Sequence, residues 1–66
     1  MDREKAFVSM MNGDKVTHRL FSNKEYLYLD GSIIRDENGY NFIEGWNLRK
    51  DGVWSEGWEV YSESRN

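Results

Sequence analysis

Between Lys24 and Gly31 the chain reads Lys-Glu-Tyr-Leu-Tyr-Leu-Asp-Gly. A strand alternates its side chains between two faces, so Tyr26 and Tyr28 fall on one side and Leu27 and Leu29 on the other. Neither side is polar. A small antiparallel sheet keeps one face wet, and a strand apolar on both faces calls for two covers, one from its own chain and one from elsewhere.

Upstream, Asp2 is placed to accept backbone N–H bonds as an N-cap, and Ala6, Phe7, Met10 and Met11 then share one stripe while Lys5, Ser9 and Asn12 face out. The pattern predicts a short amphipathic helix over about residues 2–11, ended by Asn12-Gly13. Residues 15–21 read as a strand with Val16, His18 and Leu20 on one face and Lys15, Thr17, Arg19 and Phe21 on the other. The tyrosine strand, 25–29, returns through Asp30-Gly31 into 32–36. Asn38-Gly39 suits a type I′ turn leading to a strand at 40–43. Residues 46–49 and 53–54 read as a weaker pair across Lys50-Asp51-Gly52, residues 57–61 as a final strand, and 62–66 as a polar tail. With no proline, repeat or linker, residues 1–66 make a single α+β domain, a short N-terminal helix packed on a small antiparallel meander of about four to six strands. The helix covers the leucine face, and the tyrosine face is left for a partner.

Composition sharpens that expectation. A chain of 66 residues buries only about 60% of the surface it exposes when unfolded, so domains of this size lean on disulfides, a metal or self-association. There is no cysteine and His18 is the only histidine, which argues against a disulfide, a metal site or any cofactor. Ten aromatic residues, three Trp, four Tyr and three Phe, exceed what so small a core can bury. The expectation is a homo-oligomer. No stretch approaches the roughly 18 apolar residues of a membrane span, and the absence of cysteine fits a reducing cytosol.

The net charge of −3 argues against non-specific nucleic-acid binding. It is unevenly spread: Lys15, Arg19 and Lys24 stand against Asp14 in residues 14–24, and five carboxylates against Arg35 in residues 25–48. An anion site therefore belongs near the first strand, where Lys15, Arg19, Thr17 and Phe21 supply two cations, a hydroxyl and a ring that could hold a phosphate and stack a base. The same set also reads as a solvated edge strand guarded by charge. His18 reads first as a packed, hydrogen-bonded side chain, and Trp54 and Trp58 as core or interface anchors. No nucleophile elbow, catalytic cysteine or calcium loop is present, and the carboxylates at Asp36-Glu37 flank a tight turn, where charges are solvated. An enzyme is not expected. A single-stranded nucleic-acid-binding β domain, which would want a continuous basic groove, ranks third.

The helix ending in Met10-Met11-Asn12-Gly13, the strand Lys15-Val16-Thr17-His18-Arg19-Leu20-Phe21, the strand Tyr26-Leu27-Tyr28-Leu29 and the closing Gly57-Trp58-Glu59-Val60-Tyr61 resemble small phage and prophage domains that include the second type of Thoeris anti-defence protein. The resemblance implies an α+β homo-oligomer in the host cytosol that sequesters a cyclic nucleotide signal in pockets between protomers. Carried onto this sequence, the ligand-binding set is Lys15, Thr17, His18, Arg19, Phe21, Tyr26 and Tyr28. The chain departs from that family at His18, where arginine is usual, at Phe21, where tryptophan is usual, and at Ser22-Asn23-Lys24, which replaces a glycine-rich turn. The departures imply a shared fold with changed ligand contacts. A phage-type inhibitor that blocks a host protein through an exposed aromatic face is the alternative.

Overall fold

A computed structural model describes residues 1–62. Helix α1 (Arg3–Met11) begins where the Asp2 carboxylate accepts the Lys5 N–H at 2.7 Å. It ends where Gly13, at φ 95°, lets the chain turn while its N–H bonds Met10 O. Ala6 and Met10 are the buried residues of α1. Four strands follow the helix, β1 (Val16–His18), β2 (Leu27–Asp30), β3 (Ile33–Asp36) and β4 (Trp58–Val60). They form one antiparallel sheet in the order β3-β2-β1-β4. The first three strands make the expected meander, and the last strand adds at the far edge of β1.

Val16, Leu27, Ile34 and Trp58 project from the sheet into one core with Ala6 and Met10. Tyr26 and Tyr28 face the other way, as the alternation requires. Gly31, at φ 62°, is the first of the two residues joining β2 to β3, where a II′ hairpin needs a positive φ.

The second half departs from the sequence reading. Asn38 does not adopt positive φ, so Asn38-Gly39 is not a type I′ turn, which requires it at both central residues. Asp36 Oδ1 instead accepts the N–H groups of Asn38 and Tyr40. The strand expected at 40–43 shrinks to one bridge, Arg35 to Asn41. Beyond it the chain coils into α2 (Ile43–Leu48), with Asn41 Oδ1 accepting the Ile43 N–H at 2.9 Å. Trp46 of α2 is buried, its ring 5.1 Å from Trp58 and 6.2 Å from Phe7. Gly45 is required here, since a Cβ would meet the Phe42 ring at 2.7 Å. The hairpin read across 50–52 is absent as well, replaced by the 3₁₀ turn Gly52–Ser55. The expected polar tail lies, beyond Ser62, outside the described residues.

Arg3 ties α1 to α2. Its guanidinium sits 4.0 Å from the Trp46 ring centre and donates to Trp46 O at 2.8 Å. Burial pushes its pKa below the ordinary arginine value, against an opposing pull from Asp51.

Candidate functional site

Strand β1 is shorter than its pattern, three residues against an expected seven, and this divides the candidate site. After His18 the chain turns, with the Phe21 N–H donating to His18 O at 2.8 Å. Alternation stops there, so Phe21 does not share a face with Lys15 and Thr17. Its half-buried ring packs back against the core, 5.7 Å from Trp58 and edge to face, and 5.8 Å from Trp54. Leu20, read on the same face as Val16 and His18, is 57% exposed for the same reason.

His18 is buried, and its ring lies 4.3 Å from that of Trp54, tilted, and 4.8 Å from that of Trp58, edge to face. Its Nδ1 accepts the Leu20 N–H at 3.1 Å. The proton therefore sits on Nε2, which donates to Glu56 O at 2.6 Å and Val53 O at 3.0 Å. With both ring nitrogens engaged by backbone, His18 pins the 3₁₀ turn to β1. His18 also lines the groove beside β1.

A groove of about 510 Å³ opens beside β1 and β4, lined among others by Thr17, Arg19, Phe21, Lys24, Glu59 and Tyr61. Arg19 is exposed there and its side chain crosses Gly57, where a Cβ would stand 2.8 Å from Arg19 Nε. Thr17 is partly committed, since its hydroxyl donates to Glu25 O at 2.8 Å.

Lys15, Tyr26 and Tyr28 lie on the sheet face that α1 leaves uncovered. Lys15 Nζ is 4.7 Å from the Tyr26 ring centre, and Tyr26 packs 4.7 Å from Tyr61 and 6.2 Å from Tyr28. Tyr61 belongs to both places, stacking on the tyrosine face and lining the groove. The sequence reading left Tyr61 and Lys24 out of the site. Tyr61 was findable, because a strand at 57–61 beside β1 would bring its last aromatic next to the tyrosines. Lys24 carries no signal of that kind, being brought in by the loop after Phe21.

Among the described residues no group of three or more His, Cys, Asp or Glu side chains is placed to hold a metal ion, and no helix is long and apolar enough to cross a membrane. Comparison with protein-family models, with curated proteins and with solved structures finds no match to this chain.

Proposed function

We propose that this protein is a non-enzymatic binding protein of the phage anti-defence type, which sequesters a small nucleotide, of the cyclic class, within a homo-oligomer. The observation that carries the reading is the convergence of Arg19, Lys24, Thr17 and the Tyr61 ring on one groove of about 510 Å³. That volume suits a nucleotide-sized ligand, small-molecule sites spanning about 300–1,000 Å³. Two cations answer a phosphate, and a tyrosine at the groove wall offers a base a stacking surface. Tyr61 then takes the stacking role that the sequence reading gave to Phe21.

Self-association has its support in the tyrosine face. Tyr26, Tyr28 and Tyr61 form a row of neighbouring rings on the side of the sheet away from α1. A second protomer there would bring a ring surface beside each groove. The same row supports a second reading, in which the face docks on a host protein and blocks it, since rigid aromatic anchors dominate protein interfaces.

Calorimetric titration with a panel of cyclic nucleotides tests the first reading, with native mass spectrometry of the protein purified from cells to report subunit number and any retained small molecule. Heat of binding from at least one cyclic nucleotide is the expected result. No heat from any of them, together with capture of one specific host protein that Tyr28→Ala abolishes, replaces it with the second.

A further inference from the structure

A second groove, of about 340 Å³, shares only Phe21 of its lining with the groove beside β1. Its apolar lining includes the half-buried rings of Phe21, Phe42 and Trp54, and its polar lining includes three carboxylates, Glu25, Asp36 and Glu37. The carboxylates bond neighbouring groups: Glu25 Oε1 accepts the Ser22 N–H, Asp36 Oδ1 the Asn38 and Tyr40 N–H groups, and Glu37 the Tyr26 N–H and the Asn38 amide. Among the described residues no cation pairs with any of the three, and Glu25 Oε2 and Asp36 Oδ2 accept no hydrogen bond.

Arg49 also lines the groove, and its behaviour is informative. Its guanidinium lies 5.1 Å from the Phe42 ring centre and 4.9 Å from that of Trp54, and donates to Gly45 O at 2.9 Å. It forms no ion pair with the carboxylates. Three negative charges thus face one positive charge that is held against the rings by its own backbone contact.

We infer that this groove docks an arginine side chain presented by a partner protein segment, with the guanidinium between the aromatic lining and the carboxylates of Glu25, Asp36 and Glu37. Arginine fits better than lysine because its planar, weakly hydrated head stacks on rings and takes carboxylates two bonds at a time, whereas an ammonium is a hydrated point charge. Arg49 already illustrates such stacking on Phe42 and Trp54. The volume sits at the low end of ligand sites and matches one side chain with its flanks. The anion groove beside β1 has the opposite character, so the two sites are separable, though Phe21 lines both.

The test is a titration followed by amide and indole NMR shifts, using acetyl-Leu-Arg-Leu-amide and the same peptide with citrulline, the neutral isostere of arginine. The arginine peptide is expected to shift resonances of Phe21, Phe42 and Trp54, and the citrulline peptide to bind at least about tenfold more weakly, as the loss of a charge-assisted pair implies. The Glu25→Gln/Glu37→Gln variant should lose a similar factor, because glutamine keeps an acceptor for Ser22 and Tyr26 while removing charge. Arg19→Ala should leave the peptide affinity unchanged. Equal binding of both peptides, shifts confined to other residues, an equal response to spermidine, or no shift at millimolar peptide would each overturn the inference. Should the double variant fail to fold, the comparison of the two peptides on the unaltered protein decides alone.

Discussion

His18 and Trp58 are partners across the β1–β4 ladder, and their rings meet edge to face with centres 4.8 Å apart. Trp58 is 1% exposed and its indole N–H donates to Trp54 O at 2.7 Å, so one side chain joins the sheet, the 3₁₀ turn and the buried histidine. Trp58→Ala removes all of this at once. The expected loss is roughly 3–5 kcal/mol, which is comparable to the whole stability of a domain this small at about 0.05–0.15 kcal/mol per residue. Thermal or urea unfolding of the variant should show no cooperative transition at room temperature or a midpoint far below that of the parent.

Gly57 makes a second, separate case. Its φ of 88° is one that side chains rarely adopt, and a Cβ there would stand 2.8 Å from Arg19 Nε and 3.0 Å from His18 Nε2. Gly13, at φ 95°, has nothing within 4 Å of the same atom. Alanine at Gly13 should cost only the backbone strain, about 1–2 kcal/mol, and alanine at Gly57 measurably more. Equal midpoints for the two variants in urea would show that Arg19 simply moves aside.

For the nucleotide reading, Arg19→Ala should weaken binding by about 1.5–3 kcal/mol, the worth of a charge-assisted hydrogen bond. Arg19 is exposed, so the melting temperature should barely change. Calorimetry and a melt on the same sample check both halves. An affinity unchanged by Arg19→Ala and by Lys24→Ala would remove phosphate from the groove.

Tyr28 pairs with Arg35 across β2–β3 on the uncovered face. Tyr28→Arg sets two like charges opposite one another, which opposes packing of a second protomer there. Sedimentation should show an oligomer for the parent and a smaller species for the variant. A parent that stays monomeric at high micromolar concentration would exclude self-association through this face.

The elements that the sequence foretold have local causes. Asp2 caps α1 and Gly13 ends it, Gly31 turns β2 into β3, and the Tyr-Leu-Tyr-Leu alternation assigns the two faces of β2. What escaped is set by tertiary packing. Ile43 to Leu48 has the apolar content of a strand, yet Asn41 offers a carboxamide to the Ile43 N–H and Trp46 finds the core only in helical geometry, beside Phe7 and Trp58. The Asx turn at Asn41 was the one available signal, and it was hidden by the stronger turn signature of Asn38-Gly39. Phe21 was misplaced because alternation was continued past the point where the Phe21 N–H bonds back to His18. The groove beside β1 keeps Thr17, His18, Arg19 and Phe21 from the expected set, whereas Lys15, Tyr26 and Tyr28 belong to the neighbouring sheet face.

The place of β4 beside β1 governs the order in which this molecule can assemble. The β2–β3 ribbon closes from residues adjacent in the chain and can form early, at low entropic cost. Val16, Thr17 and His18 must wait for Val60, Glu59 and Trp58 to return from the far side of the second helix. Until they do, the outer edge of β1 offers unpaired backbone groups beside an incomplete core, the condition under which a nascent chain pairs with the wrong strand.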